Sequence, residues 1–201
     1  MKRKILFLVI ILLNISCNAQ NQIINIKNQG YPEISGAYYK DIDNELNAFE
    51  GTWLFTNGNV SLKIVLVKKT MARTGNYFED ILVGEYQYIV NNIEKINTLS
   101  SLSINYTDQY QHHIWGNSLL KNRNRPFCTD CAENEMRALI SIGNPTKDFF
   151  QSLVLKKLTI NGTTALRILI FGGGGGKTYE GDTPPVPGLH VPSGEYTFIK
   201  Q

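Results

Sequence analysis

Apolar and polar positions alternate along most of this chain, and the alternation sets in at Gly51. Gly51-Thr52-Trp53-Leu54-Phe55-Thr56 and Asn59-Val60-Ser61-Leu62-Lys63-Ile64-Val65-Leu66 both read with period two, and Asn57-Gly58 lies between them. Successive side chains of a strand point to opposite faces. Asn-Gly between two such runs signals a hairpin, because a I′ turn needs φ > 0 at both central residues. A two-residue turn here predicts Phe55 opposite Val60 and Trp53 opposite Leu62, all on one face with Ile64 and Leu66. Ser61, Lys63 and Thr52 fall on the other face. A long Tyr/Val/Ile-rich strand is predicted over 78–90, with a turn at Asn91-Asn92, and shorter ones over 101–104, 111–115 and 136–142. A second Asn-Gly pair, Asn161-Gly162, joins strands over 153–160 and 163–171, and 195–200 forms the last strand. The second hairpin sets Lys156 opposite Arg167, an unfavourable like-charge pair that a bulge or longer loop would relieve.

Before the first strand the period changes. Ile42, Leu46 and Phe49 recur at helical spacing and Asp41 can cap them, which predicts a short helix over 41–49. The polar stretch 117–134 has no period and reads as a long loop held by its cysteines. Many short strands, turn signals between them and almost no helix define an all-β fold: a single antiparallel β-barrel or sandwich over 37–201, with a short helix in front.

The start of the chain carries a different pattern. Lys2, Arg3 and Lys4 precede an unbroken apolar run over 5–13, then Ile15-Ser16-Cys17 and a polar Asn18-Ala19-Gln20-Asn21-Gln22. Nine residues rise only about 14 Å as a helix, whereas a membrane span takes roughly 20 residues. The parts are those of an export signal. Ile15-Ser16-Cys17 resembles the lipobox of bacterial lipoproteins, although Asn14 stands where that family has an aliphatic residue and Leu13 lies one step further away. The resemblance implies a signal over 1–17, a diacylglycerol on the sulfur of Cys17, a polar tether over 18–36, and a mature protein held at the cell-envelope membrane, facing periplasm or cell exterior. Ordinary cleavage after Ala19 or Gln20 would instead give a secreted protein.

Charge narrows the partners. The formal +3 vanishes with the signal, because removal of its three basic residues leaves seventeen against seventeen acidic ones. A near-neutral chain with no basic run lacks the footprint of a nucleic-acid binder. A nucleotide is not expected either. Gly172 to Gly176 precede Lys177-Thr178, but a phosphate loop needs glycine where Phe171 stands, and the following Pro-rich stretch cannot supply the required helix.

Two cysteines remain besides Cys17. Cys128-Thr129-Asp130-Cys131 in an oxidising compartment reads as a structural disulfide. A redox pair would need its first thiol at a helix N-terminus after a buried strand. Zinc would need His112, His113 or His190 to complete its ligands, and neighbouring histidines on a strand point to opposite faces. No metal ligand and no cofactor is assigned, no nucleophile–base–orienter set can be assembled, and no catalytic residue is assigned. Two function classes follow. One is a binding or structural module whose interior, around Trp53, Phe55, Leu62 and Ile64, holds a small apolar ligand, or whose surface meets a protein partner. The other is an exported metal, redox or hydrolytic protein centred on Cys128 and Cys131.

Gly51-Thr52-Trp53, opening the first strand after a short helix, resembles the Gly-x-Trp start of lipocalin and calycin barrels. There the tryptophan packs across the closed end of the barrel near an arginine of the last strand; here the last strand offers Lys200, and Arg167 is an internal alternative. In overall layout the chain is similar to uncharacterised lipoprotein families of Bacteroidota-type bacteria, through Ser16-Cys17, Phe49-Glu50-Gly51-Thr52-Trp53 and Leu82-Val83-Gly84-Glu85-Tyr86. Those are domains of unknown function, so the likeness implies an address and a fold and carries over no catalytic residue.

Overall fold

The computed structural model describes residues 22–28, 30, 33–175 and 189–201. The signal expected over 1–17, Cys17 included, and the Lys177-Thr178 segment lie outside the described residues. The strands are β1 (Ile23–Asn25), β2 (Tyr38–Lys40), β3 (Gly51–Asn57), β4 (Val60–Thr74), β5 (Tyr77–Val90), β6 (Ile93–Asn97), β7 (Ile114–Leu120), β8 (Arg137–Gly143), β9 (Phe149–Ile160), β10 (Thr163–Gly175) and β11 (Gly194–Lys200). Eight of them run antiparallel in the order β5-β4-β3-β11-β10-β9-β8-β7, and β7 returns to β5. The sheet therefore closes into a barrel and leaves no sandwich edge. No helix among the described residues is long and apolar enough to cross a membrane.

β5 makes the closure possible. Leu82–Gly84 pair with β7, Gln87–Val90 pair with β6, and Phe78 and Glu79 pair in parallel with β2, which in turn carries β1. Three strands thus share one edge of a single long strand. Gly84 lies tight against β4 on the other edge: a Cβ there would lie 2.4 Å from the Val65 carbonyl oxygen and 2.7 Å from the Leu66 side chain. Only glycine permits that approach.

The inward-facing residues come from every strand in alternation. Register links Leu66 to Gly84, Gly84 to Ile114, and Ile114 to Ile142 in one ring of the interior. Trp53, Leu62, Ile64, Leu155, Ile168 and Phe198 are each fully buried in the same core. Each such side chain contributes roughly 1.5–3 kcal/mol on leaving water, and together they fill the central layers.

The first hairpin keeps its predicted faces but shifts by two residues. Phe55 pairs with Leu62, Trp53 with Ile64 and Asn57 with Val60, so the turn is Gly58-Asn59. Gly58 alone takes a positive φ, which is what a II′ turn asks of its first position. A two-residue shift preserves the pleat, so the apolar face is unchanged. The second hairpin has the predicted register, with Asn161 and Gly162 both at positive φ and Lys156 opposite Arg167.

The short helix over 41–49 does not form. Its place is taken by a five-residue 3-10 turn, Glu45–Phe49. Ile42 is half exposed while Leu46 and Phe49 are buried. A 3-10 turn eclipses residues three apart, so both buried side chains drop into the same end of the barrel. Asp41 does cap the turn, accepting from the Glu45 and Leu46 N–H groups at 2.9 Å each. Trp53 Nε1 donates to the Phe49 carbonyl at 2.9 Å and so closes that end. The strand expected over 101–104 is likewise a 3-10 turn, Leu99–Ser103, and the one expected over 111–115 begins only at Ile114. β6 carries no strong periodicity and was not predicted.

Candidate functional site

On the outer wall of the barrel, Arg137 opens β8, and Lys156 and Arg167 face each other across β9 and β10. The like-charge pair is relieved by neither a bulge nor a longer loop at this point. Asp130, from the loop between β7 and β8, sets its carboxylate between them. One oxygen accepts from Arg167 at 2.5 Å and the other pairs with Lys156 Nζ at 3.1 Å. Lys156 Nζ also donates to the Asp130 carbonyl at 2.8 Å. The Arg167 and Lys156 hydrogen bonds hold the Asp130 carboxyl far below the ordinary carboxylate range. Glu135 and Glu195 stand further off, each 3.8 Å from one of the cations.

Asp130 is placed by the loop around it. Cys128 and Cys131 are disulfide-bonded, as their spacing predicts. Arg137, only 3% exposed, clamps the loop from below by donating to the carbonyls of Pro126, Lys121 and Asn124 at 2.7, 2.9 and 3.1 Å. Burial lowers its guanidinium pKa from the ordinary arginine value. Between loop and wall lies a half-open hollow of about 210 Å³ whose lining includes these three cations, apolar Val154 and Leu169, and the exposed ring of Phe127. Such an arrangement can hold an anion, since charge-assisted hydrogen bonds from arginine and lysine match carboxylate and phosphate oxygens. Cys128, Asp130 and Cys131 bring potential metal-ligand atoms within 4.8 Å of one another. With both sulfurs bonded to each other, neither is available as a thiolate, and no histidine lines the hollow.

A second polar cluster lies on the outer face of β5. Glu85 is fully buried and accepts from His112 Nδ1 at 2.9 Å and from His113 Nδ1 at 2.7 Å. The two rings were expected on opposite faces of a strand. They converge because both precede β7, just after the 3-10 turn Gln109–Gln111, where strand alternation does not apply. Burial by itself would raise the Glu85 pKa, but the hydrogen bonds from His112 and His113 outweigh it and hold the carboxyl down at about 2. The His112 ring packs edge-on against Tyr106 at 4.9 Å, and its Nε2 meets no partner among the described residues. His190 lies elsewhere, against the Phe149 ring at 4.6 Å.

The residues expected to face an interior ligand are together, but in a packed setting. Trp53, Leu62 and Ile64 show no exposed surface. Phe55 is half-buried and meets Tyr196 edge-on at 4.9 Å. Lys200 Nζ lies 5.3 Å from the centre of the Trp53 ring, within cation–π range. Cys17 is outside the described residues. Arg137, Asp130 and Glu85 are singled out by neither periodicity nor turn chemistry. The one available signal was the Lys156–Arg167 clash, which called for a carboxylate from elsewhere in the chain.

No curated protein and no solved structure matches this chain. The sequence does match, over residues 1–201, the family described as "Family of unknown function (DUF6705)", and the chain belongs to that family.

Proposed function

We propose that this protein is an exported lipoprotein, anchored to the cell-envelope membrane through a lipid on Cys17, that works as a binding module. In this reading its ligand is a small molecule with an acid group and an apolar body. The basic start, the nine-residue apolar run and Ile15-Ser16-Cys17 support the address. The observation that carries the binding reading is the hollow under the disulfide loop, where Asp130 occupies two of three clustered cations. A ligand carboxylate or phosphate would make the contacts Asp130 makes and displace it, while Leu169, Val154 and Phe127 receive the apolar part. Asp130 then acts as a placeholder that keeps Lys156 and Arg167 apart when the site is free.

A second reading places an apolar ligand inside the barrel, lined by Trp53, Phe55, Leu62 and Ile64, as the lipocalin likeness implies. The contact of Lys200 with Trp53 favours it, since the last strand then supplies the cation that in lipocalins is an arginine. The full burial of Trp53, Leu62 and Ile64 favours the outer site instead.

Mass spectrometry of the protein extracted from its native membrane tests both parts. A denaturing run should give an N-terminus at Cys17 carrying a diacylglyceryl group, with two hydrogens missing at Cys128 and Cys131. An unmodified N-terminus after Ala19 or Gln20 would overturn the anchor. A run under native conditions should retain an acidic ligand that Lys156→Ala with Arg167→Ala releases. Release by Phe55→Ala alone would move the site to the interior.

A further inference from the structure

The basic loop between β7 and β8 offers a second surface, which meets the hollow only along its rim at Pro126, Phe127 and Cys128. Lys121, Arg123 and Arg125 alternate along it and all three are exposed. Phe127 follows, 66% exposed, with the Arg125 guanidinium 5.5 Å from its ring centre. The loop backbone is not free to turn these groups inward. Arg137 holds the carbonyls of Lys121, Asn124 and Pro126, and Asn124 returns a side-chain acceptor to the Lys121 N–H at 2.8 Å. The nearby carboxylates Asp130 and Glu135 are turned to Lys156 and Arg167. What remains outward is three cations around an aromatic ring against the one carboxylate left in the loop, that of exposed Glu133, a net cationic rim of the kind that settles at an anionic bilayer surface.

The place of the loop in the fold points to the same occupant. It leaves the barrel at the end plugged by Glu45–Phe49, where β7 ends and β8 begins. The first described residues emerge at that end too: Ile26 and Lys27 share a hollow with Asn117, Ser118 and Leu119 of β7. From Cys17 to Gln22 is five residues, which cannot span more than about 18 Å. An acyl group on Cys17 therefore draws this end of the barrel, and not the end that carries Gly58 and Asn91, toward the bilayer. We infer that Lys121, Arg123, Arg125 and Phe127 form a membrane-contact loop that rests on anionic phospholipid and fixes the orientation of the anchored barrel. The inference rests on the lipid anchor proposed above for its geometry, and it adds the surface that touches the membrane.

The test is quenching by brominated acyl chains in vesicles of phosphatidylethanolamine and phosphatidylglycerol, with the full protein reconstituted and its Cys17 mass recorded. Phe127→Trp should be quenched well beyond the wild-type background of Trp53 and Trp115, whereas Thr56→Trp, at the far end, should not. Adding Lys121→Gln, Arg123→Gln and Arg125→Gln to Phe127→Trp, or using phosphatidylcholine alone, should remove the excess. Acylated protein with no excess quenching from Phe127→Trp would overturn the loop and leave the anchor standing. Protein without the acyl group that still shows the excess on added anionic vesicles would uphold the loop and overturn the anchor. Loss of both signals sinks both.

Discussion

Glu85 and Asp130 each set one carboxylate between two basic side chains, on opposite sides of accessibility. Glu85 lies on the outer face of β5, sealed from water, with a histidine on each oxygen. Asp130 lies on the outer wall over β9 and β10, its side chain 54% exposed, with a lysine and an arginine. Both carboxyls titrate below their usual range because the ionised form is the one that is hydrogen-bonded. The settings differ in what happens when the pairing is lost. Part-exposed Arg167 regains water, buried Lys156 keeps the Asp130 carbonyl as an acceptor, and an ion pair whose carboxylate is exposed contributes little to stability. A buried polar group left without its partner has no such recourse. The first cluster is thus a structural rivet, while the second can be opened by a competing anion without unfolding the barrel.

Removing the buried carboxylate should have the largest effect. Glu85→Ala strands two buried imidazoles and is expected to cost about 3–5 kcal/mol, read as a shift of the urea midpoint at unchanged slope. A midpoint near that of the wild type would mean that water reaches the cluster and that the contrast with Asp130 is false.

Acid sharpens the same contrast. The folded pKa of Glu85, about 2, lies below the 4.5 of a free glutamate. Its contribution is therefore complete above pH 4.5 and drains away as pH falls through 2, a loss of about 3 kcal/mol over that interval. Wild-type stability should fall more steeply between pH 4.5 and pH 2 than that of Glu85→Gln. Parallel curves would remove Glu85 as the cause.

Smaller effects are expected at the open cluster. Replacing Cys128 and Cys131 together by serine frees a four-residue loop and should cost about 2 kcal/mol, while loosening Asp130 and so strengthening the binding of added anions. Asp130→Asn should be the mildest change, with a midpoint close to the wild type and a difference that disappears at high salt. A large, salt-independent loss would show that Asp130 is as structural as Glu85.

How much of this could be read beforehand follows from the range of each interaction. The two Asn-Gly hairpins, the inward set of Trp53, Phe55, Leu62, Ile64 and Leu66, and the clash of Lys156 with Arg167 were legible, because a strand's faces and a tight turn are local. Even there the turn lies one step beyond Asn57-Gly58, because Gly58 can satisfy a II′ turn without help from Asn57. The 3-10 turn at Glu45–Phe49 was read as a helix because Ile42, Leu46 and Phe49 keep helical spacing, and only the shape of the barrel end shows that Ile42 stays out. The convergence of His112 and His113 was hidden because alternation was assumed where the chain had not yet entered β7.

Within the described residues, then, the alternating pattern and the turn residues were enough to determine strands, faces and an all-β architecture, because those depend on bonds and neighbours close along the chain. Closure was decided only in three dimensions. The pairing of β5 with β7 joins residues some thirty apart, and period two states which side of a strand is apolar but not which strand comes to lie beside it. The outward polar residues depend on that choice entirely. Asp130 meets Arg167, and Glu85 meets two histidines, because the barrel closes and carries their loops over its wall.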